Sequence, residues 1–453
     1  MVAKDFIDLF SKFSYANRVS IEDFGDQLNL FTVILFLIAC IIVGTKQYFL
    51  NSISCYIPVK PTGENFNNFL SDYCWVHGTI PLRFSEKIPN TPELWDEYDA
   101  IRRITYYQWV PFVLGLQCIF FYIPHIAWQA VCAHRAGGDL FALVKAAADA
   151  ATSERGARDK QVHRVAEFLE DMIGEQSDIR KSRRSRIARR AYDMCGLCIV
   201  SKRLGTCLVF SYLAVKIITI INAIMQVYLI QRFLGFHADG SAGHKSLDLG
   251  KTYDPNAITP VRAVDNENLE GFGFGLTVAN YIRSGRDWPE TTLFPRVAYC
   301  RVPGIRLVGV ENTYTAQCAL PINMLNEKIY IFFWFWIVFL IAASIFSLIL
   351  WLFRMVLAPK RKDFIKRFLR IKGVKSRRGD EIGRGDLDEF IDDYLRRDGV
   401  FLIRMLSLNA GEVITAEIVT VMYENYVKRV DEMEKLSNET PEKTPLKEPP
   451  SYV

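Results

Sequence analysis

Residues 329–353 read IYIFFWFWIVFLIAASIFSLILWLF, 25 consecutive positions without a charged side chain. At about 1.5 Å per residue such a helix exceeds the roughly 30 Å hydrocarbon core of a bilayer. The stretch is therefore read as a membrane span covering residues 329–357. Three further apolar runs, 28–48, 107–131 and 207–234, meet the same length requirement. Each has Trp, Tyr, Lys or Arg near an end, where amphipathic and cationic side chains meet the headgroups. Half of the 453 residues are hydrophobic while 23% are charged, as expected for a few spans separated by sizeable polar segments. The net charge of +5 is modest, and no basic stripe interleaved with aromatics appears. No nucleic-acid partner is expected.

Orientation follows from Lys and Arg. Segments 131–206 and 358–453 carry them at about one residue in five, against about one in ten in 49–106 and 235–328. The runs RKSRRSRIARR (180–190) and PKRKDFIKRFLR (359–370) flank the third and fourth spans. By the positive-inside rule both termini face the cytosol and the two loops 49–106 and 235–328 face out. The start of the chain lacks a signal-peptide layout, so the first span is expected to serve as the targeting signal.

The expected fold is an all-α membrane protein: a four-transmembrane-helix bundle with disulfide-tied extracellular loops and a helical cytoplasmic domain. Its parts are an N-terminal pore helix (1–27), the four spans, the two outer loops, a cytoplasmic helical loop (132–206), a C-terminal helical domain (358–436) and a disordered tail (437–453). Phe141, Val144 and Ala148 repeat at helical spacing, as do Val165, Phe168, Leu169 and Met172. Leu387, Ile391, Tyr394 and Leu395 make a similar stripe, and Val413 to Tyr426 reads as another helix.

This topology sorts the ten cysteines. Cys55 and Cys74 fall in the first outer loop and Cys300 and Cys318 in the second, the oxidising side. Four cysteines allow three connectivities. The separations within the loops, 19 and 18 residues, nearly match. They favour a nested pairing, Cys55 with Cys318 and Cys74 with Cys300, over pairing within each loop. Stabilising the loops and tying them together are both open as the purpose of such bridges.

Four strings stand together: EDFGDQLN (22–29), YCWVHGT (73–79), YYQWVPF (106–112) and QCALPINMLNEKIYIFFWFW (317–336). With two cysteines per outer loop, and with YLRRDGVFLIRMLSLNAGEVITAEIV at 394–419, they resemble the innexins, the gap-junction proteins of invertebrates. The resemblance implies a large-pore channel subunit passing ions and small molecules between neighbouring cells. It further implies a homo-oligomeric ring of about eight subunits, docked to a ring in the opposed cell, with other innexins as further partners. The location implied is the plasma membrane at gap junctions. An undocked hemichannel releasing small molecules such as ATP, or a non-conducting adhesion or scaffold protein, is the alternative.

Individual residues acquire roles from this reading. Tyr106, Tyr107, Gln108 and Trp109 are the family string, with rings suited to anchoring at the interface. Pro124 removes a backbone hydrogen bond deep in the second span and is expected to kink it. The resemblance gives that proline a part in gating, whereas a static bend is the plainer alternative. Lys216, inside the third span, must pair, face water or snorkel. Phe6, Phe10 and Phe13 share a helical face at the N-terminus; the resemblance places Val2, Asp5, Phe6 and Asp8 in the pore mouth, against a competing position on the inner leaflet. Ser451-Tyr452-Val453 fits a PDZ domain, where a terminal carboxylate enters a backbone nest. Membrane lipids are the remaining partner.

Leu50, Ser52 and Tyr56 stand where innexins usually carry Gly, Pro and Trp. Neither outer loop holds an N-x-[ST] sequon; the chain's one match is Asn438-Glu439-Thr440 in the tail. A glycan-free outer surface suits docking.

Chemistry of other kinds is not expected. Gly250-Lys251-Thr252 mimics a P-loop ending, but Lys245 stands where the first glycine is required. Gly271 to Gly275 lacks a strand-then-helix setting. Cys195 and Cys198 have no second pair nearby for zinc. No catalytic set, cofactor or metal is expected, and the chain is not read as an enzyme.

Overall fold

The computed structural model describes residues 22–50, 52–57, 63–82, 89, 91–135, 139–174, 205–238, 273–285, 294–307, 310–374 and 384–439. Four of its helices are long and apolar enough to cross a membrane. They are α1 (Phe24–Tyr48), α4 (Val110–Arg135), α7 (Cys207–Ala238) and α9 (Pro321–Val356). α9 begins eight residues before the apolar run, because Pro321 takes the first helical position, where its missing N–H leaves no partner wanting. α4 begins three residues later than the apolar pattern does, because Tyr106–Gln108 form a separate 3-10 turn.

The chain divides into two compact units, one of residues 25–125 and 218–345, the other of residues 1–24, 126–217 and 346–453. The first is sheet-bearing. Besides its share of the long helices it holds β1 (Ser54–Tyr56), α2 (Glu64–His77), α3 (Pro92–Arg102), α8 (Gly273–Arg283), β2 (Val297–Leu307) and β3 (Val310–Ala319). The strands form an antiparallel sheet in the order β1-β3-β2, an element the sequence reading did not anticipate. Its register sets Cys55 opposite Cys318 and Cys300 opposite Ala316, with an irregularity between Val302 and Ile305. Deeper in this unit Phe36 stacks on Phe333 at 3.9 Å and on Phe121 at 5.3 Å between centroids.

The second unit is helical. It holds α5 (Leu140–Thr152), α6 (Arg155–Gly174), α10 (Ala358–Ile371), α11 (Arg384–Glu389), a π-turn at Phe390–Leu395, α12 (Arg396–Asn409) and α13 (Glu412–Glu439). Asp139 caps α5, its carboxylate accepting from the Phe141 and Ala142 N–H groups. Leu143, Val144 and Ala147 of α5 and Val165, Leu169 and Met172 of α6 are buried with Leu387, Ile391, Val419 and Met422. Phe168, read as part of the α6 stripe, is instead 38% exposed. α13 runs on to Glu439, so residues 437–439, read as the start of a disordered tail, form its last turn. Arg158 and Lys372 both pair with Glu417, and Arg429 with Glu170.

Candidate functional site

For the channel that the sequence leads one to expect, the parts to look for are the surfaces that join subunits and the devices that hold its helices. Three such devices are built from residues far apart in the chain.

The first ties the two loops. Cys55 in β1 is bonded to Cys318 in β3, and Cys74 in α2 to Cys300 in β2, with Cα–Cα distances of 4.0 and 5.8 Å. The sulfurs of Cys55, Cys74 and Cys318 lie within 4.8 Å of one another, so the two bridges are adjacent, and bridging leaves none of them as a metal ligand. α2 ends at Gly78, whose N–H donates to the Cys74 carbonyl. That glycine has φ +99°, and a Cβ there would lie 2.7 Å from Thr105 Cγ2 and 2.8 Å from the Ile104 carbonyl oxygen. Only glycine gives both the backbone conformation and the space. The neighbouring Thr79 and Ile80 then form bridges to Ile104 and Tyr299.

The family string sits beneath this junction. Gln108 donates to the carbonyls of Trp75 and Val76, and Gln47 donates to the Gln108 carbonyl at 3.0 Å. Tyr107 donates its hydroxyl to the Trp75 carbonyl at 3.4 Å. Tyr106 and Tyr107, expected as rings at the lipid interface, are instead fully buried in protein, where the Tyr107 hydroxyl has its carbonyl partner and the Tyr106 ring packs edge-on against Tyr107 and Phe294. Desolvation raises both phenol pKa values above the ordinary range, so the rings stay neutral. Trp109 alone of the three rings is exposed, at 57%.

The second device lies at the proline inside α4. Pro124 has no N–H, so the carbonyl of Phe120, four residues earlier, loses its helical donor. The side-chain amide of Asn222 in α7 donates to that carbonyl at 3.1 Å, and Asn29 in α1 donates to the next one, Phe121, at 2.9 Å. Gln226 orients Asn222 by donating to its Oδ1 at 3.3 Å. One neighbouring helix therefore supplies the donor that the proline removes, and a second adds a bond at the adjacent carbonyl. Neither asparagine was singled out in the sequence. The signal that would have found them is an amide inside an apolar span of a protein with a mid-helix proline.

The third device is in the helical unit. Lys216 is 2% exposed and pairs with Asp23, just ahead of α1. The other Asp23 oxygen accepts from Ser347 Oγ at 2.5 Å and Trp351 Nε1 at 2.7 Å. Lys216 also lies 5.2 Å from the Tyr212 ring centroid. Nearby, Asp398 closes the start of α7: its two oxygens accept from the Leu208 and Val209 N–H groups at 3.2 and 3.1 Å, and its own N–H donates to Gly205 at 2.9 Å. Burial raises the Asp398 carboxyl to about 6, the backbone donors offsetting only part of the desolvation. Val2, Asp5, Phe6 and Asp8, Cys195 and Cys198, and Ser451-Tyr452-Val453 lie outside the described residues.

Comparison with known proteins identifies the pattern. The innexin family model matches residues 22–244 and 266–426. Innexin unc-9 of Caenorhabditis elegans is 30% identical over 407 residues, covering 89% of this chain and 92% of that protein. Innexin-19 of the same organism is 28% identical over 438 residues, covering 92% and 86%. Innexin-11, also from that nematode, is 28% identical over 408 residues, covering 89% and 79%.

Proposed function

The chain belongs to the innexin family, whose members are gap-junction channel subunits, and from that premise we propose how this chain performs the task. It assembles as a ring around a wide pore, and rings in two apposed membranes dock to pass ions and small molecules. Both termini are cytosolic, and the face carrying the two disulfides meets the opposite ring. A ring of about eight subunits is the family's pattern. The N-terminal residues Val2, Asp5, Phe6 and Asp8 line the pore mouth, and Ser451-Tyr452-Val453 engages a PDZ scaffold by strand addition.

The observation that carries this reading is the family match across 22–244 and 266–426, which takes in both cysteine-bearing loops. Two bridges, each between one loop and the other, make the loops a single rigid part, as a docking surface requires. Passive conduction needs no cofactor and no reacting group; it needs a ring that holds its shape.

The test is two cells expressing this chain alone. Electrical coupling between them is the expected result, and a ring in class averages of the purified protein accompanies it. Large single-membrane currents without coupling, at full surface expression, would replace docking by a lone hemichannel. Neither current nor coupling would leave only the adhesive alternative.

A further inference from the structure

Among the described residues, part of the positive charge at the end of the fourth span has no carboxylate within ion-pair distance. α10, which follows that span directly, carries six Lys and Arg against one acid, Asp363. Several of the six are committed. Arg361 donates to the carbonyls of Met355 and Val356 at 2.7 and 3.1 Å, closing the end of α9. Lys362 lies 2.8 and 3.0 Å from Asp388 and Asp392, and Arg367 lies 2.5 Å from Glu412. Lys360 has no such partner. Among the described residues, no carboxylate stands within ion-pair distance of Arg354, Lys360 or Arg404.

Two of these cations, Arg354 and Arg404, come together for a structural reason. Phe401 of α12 packs against Tyr212 and Trp351, with centroids 5.2 and 5.5 Å away. Three residues on from Phe401 comes Arg404, and three on from Trp351 comes Arg354, so the two guanidinium groups are brought close enough to repel. Arg404 lies flat on Phe364, its Cζ 4.0 Å from the ring centroid, while its Nε is shut off from solvent and bonds to nothing. Lys360 rests over Phe353 at 5.7 Å. Burial, and then Arg354, lower the Arg404 pKa to about 10.

The surroundings specify the chemistry of the missing anion. Planar guanidinium groups are suited to phosphate oxygens, which accept several N–H bonds at once. Exposed Phe353, Val356 and Leu357 lie alongside in sequence, at the foot of an apolar span where acyl chains end and headgroups begin. We infer that Arg354, Lys360 and Arg404 form a binding site for the phosphate headgroup of an anionic phospholipid. A free phosphate compound offers the same head without the tail.

Titration of the purified full chain in detergent with a fluorescent short-chain phosphatidylinositol bisphosphate tests this. Saturable binding is expected, weakened about tenfold or more in R354Q/R404Q, since each charge-assisted bond is worth about that factor. R370Q, an exposed cation elsewhere on α10, should bind as the unaltered chain does. R404K keeps the charge without the planar fork and should fall between. Equal binding by R354Q/R404Q and the unaltered chain would overturn the proposal. Displacement of the lipid by an equal concentration of soluble inositol trisphosphate would overturn its lipid part and make a free phosphate the ligand. Should R354Q/R404Q fail to fold, the unaltered chain decides alone: its melting temperature should rise in nanodiscs when phosphatidylcholine is partly replaced by the bisphosphate lipid, and no rise refutes the site.

Discussion

The sheet-bearing unit and the helical unit solve the same problem by different means. In the sheet-bearing unit, short strands and helices share an apolar core with the long helices and are further held by two covalent bridges and by side-chain amides that bond to span carbonyls. In the helical unit, longer helices bury a wide apolar core and add ion pairs and a capping carboxylate. The first design is expected to be the more sensitive to reduction, because both bridges lie in it, although it too carries ion pairs such as Arg301 with Asp96. The second is expected to respond to pH through Asp398. A protein with loops in an oxidising space and helices in a reducing one is expected to divide in this way.

The comparison is broken most severely at a bridge. Replacing Cys55 or Cys300 by Ala removes a cross-link spanning more than 200 residues, typically about 2–5 kcal/mol. Coupling between cell pairs should vanish while surface biotinylation still detects the protein, because the long helices do not depend on the sheet. Coupling at the unaltered level would show that the covalent tie is dispensable.

Next comes the buried pair in the helical unit. Lys216→Met leaves Asp23 without its cation and should cost about 3–5 kcal/mol, whereas Asp23→Asn with Lys216→Met should recover most of it. Melting temperatures of the two variants in detergent distinguish these outcomes. If the double change is no better than the single one, the pair does not act as a unit.

Asp398 sharpens the contrast in pH. Its folded-state pKa of about 6 lies above the ordinary carboxyl value of 3.8. Between those values the folded chain holds more protons than the unfolded one, so its contribution is most favourable below the lower value and is lost as pH rises through about 6. The difference in melting temperature between the unaltered chain and Asp398→Asn should therefore shift against the unaltered chain from pH 4 to 7. Asn still caps α7; Asp398→Ala should cost a further ~1 kcal/mol at all pH values. A pH-independent difference between Asp398 and Asn would refute the titration.

The smallest effect belongs to the proline inside α4. Asn222→Leu orphans the Phe120 carbonyl, at about 1–3 kcal/mol. Pro124→Ala restores the backbone donor, so the same Asn222→Leu change should cost less in that background. Equal costs in both would mean that Asn222 does not compensate for the proline.

The four spans were legible because long apolar runs carry very little charge, a signal that needs no partner. The sheet was not: β2 is interrupted at Val302–Ile305, where Pro303 and Gly304 break the alternation that marks a strand. Which cysteines meet is likewise a matter of strand register; spacing favoured the nested pairing that the structure has, but not the sheet that sets it. Lys216 announced a need for a partner, but Asp23 stands 193 positions away. Tyr106 and Tyr107 read as interfacial by type, and only the fold of α2 and Gly78 above them explains why they are enclosed. Local chemistry could be read; outside the cysteines, the distant half of each pair could not.

The nesting of the two bridges has one more consequence, for a chain that has been cut. Cys55 and Cys74 lie on one side of residues 75–299, and Cys300 and Cys318 on the other. Any single nick between residues 75 and 299 leaves two fragments still fastened at two points. Such a protein would migrate as one species until a thiol is added and then fall into two. A protease could thus sever the polypeptide without dismantling the molecule.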